Sequence, residues 1–333
     1  MHPFTLRRAG SSHAALEFVA ADGGTRYLAG GTTLVDLMKL GIERPTALVD
    51  ITGLPDLDRV EIDSQGDLRI GALARMSDVA DDPRVIDGWP MLARALVKGA
   101  SAQLRNMATI GGNLLQRTRC PYFRDAASRC NKRNPGVGCD ALEGINREHA
   151  LLGVSDRCIA LHPSDFCVAL APLDASVEVM SPNGARRLSF EELHCLPGQT
   201  PHLEHALEQG ELITAVVVPP SPAARRSTYV KVRDRESYQF AMTSVAAGLD
   251  LDADGRVRDA RIGLGGVATK PWRAREVELF LHGRTIDEST AQQAGRVAMT
   301  GAVERDHNAF KVPLMAYTVA EALLSLTTQG NTP

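Results

Sequence analysis

Arg26-Tyr27-Leu28-Ala29-Gly30-Gly31-Thr32-Thr33-Leu34-Val35-Asp36-Leu37-Met38 reads as a strand, a glycine turn and a helix. Thr33 and Asp36 have the spacing of a capping box, and Gly41 stands where the helix would end. A glycine pair entering a helix suits a phosphate, since glycine admits close backbone approach and the free N–H groups favour negative charge. It equally suits a tight turn with no ligand. The pattern is neither G-x-G-x-x-G nor a P-loop, because no Gly-Lys-Ser/Thr follows. A second pair lies in Met107-Ala108-Thr109-Ile110-Gly111-Gly112-Asn113. Two such loops make a stronger case for a two-part dinucleotide cradle than either alone.

Working outward, Phe4-Thr5-Leu6 fits a short strand, and Ser11 or Ser12 can cap a helix carrying Ala14, Leu16, Phe18 and Val19. Strands are expected over Thr46 to Ile51 and Asp67 to Ala72. A short helix from Ser77-Asp78 should end at Pro83, and another from Pro90 to Ala100 should bury Leu92, Ala95, Leu96 and Val97. After Asp165 come a helix holding Cys167 as a small hydrophobe, a hairpin turning at Asn183-Gly184, a short helix from Phe190 to His194, and a strand from Leu212 to Val218. The run Pro219-Pro220-Ser221-Pro222-Ala223-Ala224-Arg225-Arg226 marks a domain boundary. Beyond it, Thr228 to Arg233, Ser244 to Leu251 and Val257 to Gly265 read as antiparallel strands. Helices follow over Trp272 to Leu281, Glu288 to Thr300 and Met315 to Leu326, then a polar, frayed tail from Thr327 to Pro333. Strands followed by helices argue an α+β module.

Between Asn113 and Asp165 lies a segment of little periodicity with four cysteines, Cys120, Cys130, Cys139 and Cys158. Their spacings of ten, nine and nineteen residues contain no C-x-x-C pair and match no ferredoxin pattern. Spacing therefore gives four soft ligands in one loop and leaves the metal open. Cys120 falls eight residues beyond Gly112 and Cys158 seven before Asp165, so each gap spans under about 28 Å even when extended. A metal centre there must lie close to anything the glycine loops hold. From Arg117 to Arg133, six basic residues, Arg117, Arg119, Arg124, Arg129, Lys132 and Arg133, stand against one acid, Asp125. They read either as a solvated basic loop or as charge compensation for thiolates around iron. His194, His202 and His205 are close in sequence, a grouping more often structural than metal-binding. Cys195 has no evident partner.

Composition excludes several classes. At 333 residues, 44% hydrophobic, 23% charged and net charge −3, the chain suits an ordinary globular protein and carries no basic footprint for nucleic acid. No run of about 18 apolar residues argues a membrane span, and no apolar stretch near Met1 reads as a signal of its own. Six cysteines without such a signal suggest thiols or metal ligands before disulfides.

The two glycine loops, with His162-Pro163-Ser164-Asp165, resemble the FAD-binding subunit of the xanthine dehydrogenase and aldehyde oxidoreductase family. Arg119-Cys120-Pro121-Tyr122-Phe123, Cys130-Asn131-Lys132-Arg133 and Lys231-Val232-Arg233-Asp234-Arg235 are similar to the FAD and iron–sulfur subunit of bacterial three-subunit molybdenum aldehyde oxidoreductases. The resemblance implies a two-lobed FAD domain of the vanillyl-alcohol-oxidase (PCMH) type over about 1–222, with lobes of about 1–55 and 56–222 and an iron–sulfur insert at about 117–160. It implies a CO dehydrogenase flavoprotein-like C-terminal domain over about 226–326. FAD contacts would be Arg26, Tyr27, Leu28, Ala29, Gly30, Gly31, Thr32, Thr33, Leu34, Thr109, Gly112, Asn113, Asp165, Ile213 and Lys231. A [4Fe-4S] cluster would sit on Cys120, Cys130, Cys139 and Cys158. The implied whole is a heterotrimer: a large molybdenum-cofactor subunit oxidises an aldehyde to a carboxylic acid, and a small [2Fe-2S] subunit relays electrons. This chain passes them through FAD to an external acceptor and supplies no residue that acts on the aldehyde. Such a complex stays in the cytoplasm or reaches the periplasm with a signal-bearing partner. Two other readings stand beside it: a free-standing FAD oxidoreductase with a structural metal in the cysteine loop, and a non-enzymatic metal-binding scaffold.

Overall fold

The computed structural model describes residues 1–328 and organises them around three sheets. The first is parallel, with β1 (Thr5–Arg8) and β2 (Thr25–Leu28) both hydrogen-bonded to a central β3 (Ala47–Asp50). Parallel neighbours need crossovers, and these are the helices Ser12–Ala21 and Leu34–Lys39. Ser11 caps the first, accepting the Ala14 N–H at 3.1 Å. That helix buries Ala15, Leu16 and Val19 against Val49 and Ile51.

The second sheet is antiparallel, in the order β4 (Val60–Ile62), β5 (Leu68–Gly71), β8 (Leu212–Val218), β6 (Ser176–Ser181) and β7 (Gly184–Ser189). Every residue of the central β8 is buried, in keeping with a run that is apolar except for Thr214. The main core packs this sheet against the helices Met76–Asp81, Pro90–Lys98 and Asp165–Leu170, and reaches Tyr229 and Ala246 beyond the proline-rich stretch. The third sheet runs β12 (Trp272–Arg273), β11 (Val257–Gly265), β10 (Thr243–Leu251), β9 (Ser227–Val232). It packs on the helices Arg275–Leu281, Glu288–Ala298 and Lys311–Thr328.

Several local expectations fail. Thr33 adopts helical angles and makes no cap hydrogen bond; Asp36 is instead held by Arg119 and Arg124. Pro83 begins a second helix, Pro83–Gly88, capped by Asp82, so it separates two helices. Val97 is 51% exposed, and Met91 and Ala93 take the buried face with Leu92, Ala95 and Leu96. Trp272 and Arg273 pair as a strand with Gly263 and Leu264, which delays the next helix to Arg275. The last helix starts at Lys311, four residues before Met315, because Pro313 is compatible with a first turn. It continues through Thr328, so the expected fraying does not hold at Thr327 and Thr328, and residues 329–333 lie outside the described residues. The proline-rich boundary contains a short helix, Pro222–Arg225, capped by Ser221.

Gly295 shows how closely the C-terminal helices pack: a Cβ there would stand 2.2 Å from the Ala316 carbonyl oxygen. Gly295→Ala should therefore cost about 1–3 kcal/mol through overpacking, despite alanine's better helix propensity. Denaturant unfolding of the variant checks this.

Candidate functional site

The two glycine loops touch. A Cβ on Gly30 would lie 1.8 Å from the Met107 carbonyl oxygen, so this glycine is required by the approach of one loop to the other. Gly31 has φ +71°, the left-handed region that favours glycine. Thr109 caps the short helix Ile110–Leu114, and its hydroxyl accepts the Gly112 N–H at 3.4 Å.

Two adjoining cavities open beside these loops, of about 300 Å³ and about 540 Å³, with Thr32, Thr33 and Gly112 on the walls of both. Each is of a size that cofactor sites take. The smaller is lined by Arg26, Tyr27, Ala29, Gly30, Gly31, Leu34, Thr109 and Ile213; the larger by Asn113, Asp165 and Lys231. The structure thus brings together every FAD contact expected from sequence except Leu28, which lies behind the loop, its side chain beside Gly31. The larger cavity adds Ala100 and Tyr238, at φ +50° and +52°, and Phe240. Strained non-glycine residues of this kind cluster at ligand sites. No local motif announced them; the only signal was an aromatic pair in a polar loop between β9 and β10. Glycine-lined backbone at these walls fits the close approach of a dinucleotide phosphate.

The floor of the larger cavity is an ionic contact. Ser164 caps Asp165–Leu170, accepting the Cys167 N–H at 3.0 Å, and its hydroxyl donates to Asn113 Oδ1 at 2.5 Å. Asp165 accepts from Tyr229 Oη at 2.6 Å and Lys231 Nζ at 2.8 Å. Lys231 also donates to the Lys98 carbonyl at 3.0 Å. An ammonium has three donors, so one remains for the cavity. Burial pushes the Asp165 pKa up, while Lys231 and Tyr229 pull it down.

The four insert cysteines are free thiols that come together from dispersed positions. Cys130 and Cys139 face each other across an isolated antiparallel bridge. Cys120 and Cys158 each feel the charge of Cys130, and burial raises their pKa values to about 12 and about 11. Backbone N–H groups of Tyr122 and Phe123 point at the Cys120 sulfur, those of Ala141 and Leu142 at Cys139, and that of Ala160 at Cys158. Amide donors at sulfur are what cluster thiolates require. A tetrahedral zinc with Zn–S of about 2.3 Å would hold its sulfurs about 3.8 Å apart. Among the described residues no three of these thiols lie within 4.8 Å of one another. The set fits a polynuclear iron–sulfur cluster better than a single ion.

Neither reading of the basic stretch survives intact. Arg117 pairs with Glu43 and Glu204, Lys132 with Glu204, Arg119 and Arg124 with Asp36, and Arg129 with Asp140. Arg133 donates to the carbonyls of Tyr122, Phe123, Ala126 and Ser128. Most of these cations are spent on carboxylates and carbonyls that hold the insert in shape. The histidines regroup as well. His194 lies edge-on to His162, with centroids 4.5 Å apart, and its Nε2 lies 3.0 Å from the Leu114 carbonyl oxygen. These two rings and Cys167 place ligand atoms within 4.8 Å of one another. His202 and His205 line a cavity of about 540 Å³ whose walls also include His162 and His194. Cys167 is fully buried, as expected.

Comparison with known proteins gives matches over nearly the whole chain. The family described as FAD binding domain in molybdopterin dehydrogenase matches residues 2–221, and the CO dehydrogenase flavoprotein C-terminal domain matches residues 227–326. The chain is 47% identical over 331 residues to the aldehyde oxidoreductase FAD-binding subunit PaoB of Escherichia coli (strain K12), covering 99% of this chain and 100% of that one. It is 27% identical over 290 residues to the glyceraldehyde dehydrogenase medium chain of Sulfolobus acidocaldarius, covering 86% and 85%. The crystal structure of quinoline 2-oxidoreductase from Pseudomonas putida 86 superposes with a TM-score of 0.76 at 25% identity, covering 98% of both chains.

The side chains of Lys231 and Asp165 are 1% and 9% exposed. Lys231→Met should cost about 3–5 kcal/mol, because it strands a buried carboxylate. Equilibrium unfolding, with flavin content measured alongside, checks this.

Proposed function

The chain belongs to the FAD-binding medium subunits of the xanthine dehydrogenase family, and on that premise we propose that it is the FAD and iron–sulfur electron-transfer subunit of an aldehyde-oxidising molybdenum hydroxylase. On this reading it divides into an FAD-binding domain over about 1–222 and a C-terminal domain over about 226–326. FAD lies along the two cavities, contacted by Arg26, Tyr27, Ala29 through Leu34, Thr109, Gly112, Asn113, Asp165, Ile213 and Lys231. Cys120, Cys130, Cys139 and Cys158 hold a [4Fe-4S] cluster. When bound, the flavin supplies the exchange between one-electron carriers and an external acceptor. The chain's own residues do the rest: the glycine loops admit the dinucleotide, Lys231 keeps a positive charge beside it, and the buried thiols offer soft ligands.

The observation that carries this reading is a shared wall. Cys120, Asp165 and Phe240 all line one cavity of about 80 Å³, and Asp165 and Phe240 also line the larger cofactor cavity. A cluster on Cys120 would be one layer of side chains from the flavin, a useful arrangement for electron passage. Partners follow from the same reading: a large molybdenum-cofactor subunit that converts the aldehyde to the acid, and a small [2Fe-2S] subunit. The complex works in the cytoplasm, or in the periplasm after export with a signal-bearing partner. Among the described residues no helix is long and apolar enough to cross a membrane. The spread of the thiols speaks against the second reading, a free-standing FAD oxidoreductase with structural zinc.

Cys130→Ser in the assembled complex tests the proposal through iron, acid-labile sulfide and visible absorption. The expected variant keeps its flavin bands, loses the broad iron shoulder and slows aldehyde turnover. Unchanged turnover in an intact complex would leave the cluster a bracing role only. Zinc in place of iron in the parent protein would favour the free-standing reading.

A further inference from the structure

We propose that His149 is the hydrogen-bond donor that sets the reduction potential of the cluster on Cys120, Cys130, Cys139 and Cys158, an inference that rests on the iron–sulfur reading above. His149 Nε2 lies 3.1 Å from Cys120 Sγ, and the residue is 2% exposed. Its Nδ1 is buried with no hydrogen-bond partner. That asymmetry fixes the tautomer. A proton on Nδ1 would strand a buried donor and turn the Nε2 lone pair onto the sulfur, so the proton belongs on Nε2, where it donates to the thiolate.

Cys120 is already the recipient of the Tyr122 and Phe123 amides. The imidazole therefore adds a further donor at this one sulfur, which is also the thiol that lines the cavity shared with Asp165 and Phe240. Donors at cluster sulfurs stabilise the more negative, reduced state over the oxidised one and so raise the potential. His149 lines that same cavity.

The donor is also held from outside the cysteine loop. The His149 carbonyl accepts from Lys311 Nζ at 3.2 Å, and the same ammonium donates to the Gly266 carbonyl at 2.8 Å. Asn308 Nδ2 donates to the Ala150 carbonyl at 3.2 Å, and the Leu151 N–H to the Val267 carbonyl at 2.8 Å. The C-terminal sheet and helix thus fix a residue whose side chain ends on Cys120. They make His149 a positioning and tuning residue with no contact to substrate.

The test compares the parent complex with His149→Phe, which removes the donor, and His149→Gln, which keeps one. Iron and acid-labile sulfide are measured first, then a dye-mediated dithionite titration is followed by electron paramagnetic resonance of the reduced cluster. The expected result is a more negative cluster midpoint and shifted g-values in His149→Phe, an intermediate midpoint in His149→Gln, and an unmoved flavin midpoint in both. His149→Phe with full iron and the parent midpoint overturns the inference. If His149→Phe loses its iron, His149→Leu, which also removes the donor, decides: full iron with the parent midpoint and g-values overturns the inference. A parent protein without iron fails the cluster reading itself, which separates the two.

Discussion

The contact on which the site depends is the buried ion pair of Asp165 and Lys231. It joins the first turn of a helix under the glycine loop to β9 of the third sheet, two elements 66 residues apart in sequence. Such pairs add little net stability, because desolvation offsets the Coulombic gain, but breaking one is expensive. Its geometry is fixed by neighbours: Tyr229 holds one carboxylate oxygen, the Lys98 carbonyl holds the ammonium, and Ser164 links the helix to Asn113. Glycine loop, helix and third sheet are thereby set in one arrangement around the larger cavity. The contact between the helix and the third sheet is thus also the floor of the larger cavity.

The cysteine insert hangs on that frame without distorting it. Its cations are spent mainly on acids outside it and on its own carbonyls, so its shape does not rely on a solvated charged face. Arg119 and Arg124 reach back to Asp36 on the helix behind the first glycine loop. Asn146, Ala150 and Leu151 are tied to the third sheet and its last helix. The insert is therefore clamped from both sides of the cleft, and Cys120 comes to lie against the wall that Asp165 and Phe240 share.

What could be read from sequence was local or periodic. Strand β8 announced itself as an apolar run broken only by Thr214, Ser11 as a cap, and the paired glycines as close-approach loops. What could not be read depends on partners distant in the chain. Asp36 fits a capping box by spacing, yet two arginines 83 and 88 residues away take its carboxylate. Gly30 reads as room for a ligand, and the structure uses that room for the Met107 carbonyl. The two-residue strand β12 has no pattern long enough to see. Likewise, nothing in the spacing of Lys231 marks it as the partner of Asp165, and the contact of His149 with Cys120 closes across 29 residues of irregular loop.

The proposed function places an iron–sulfur cluster and FAD side by side in this chain. Anomalous scattering measured across the iron edge from crystals of the native complex decides it. The expected result is a strong iron peak enclosed by the sulfurs of Cys120, Cys130, Cys139 and Cys158, with flavin density running from Gly30–Gly31 to Lys231. An absent iron peak, a zinc-edge signal between those sulfurs, or flavin density lying elsewhere would contradict it.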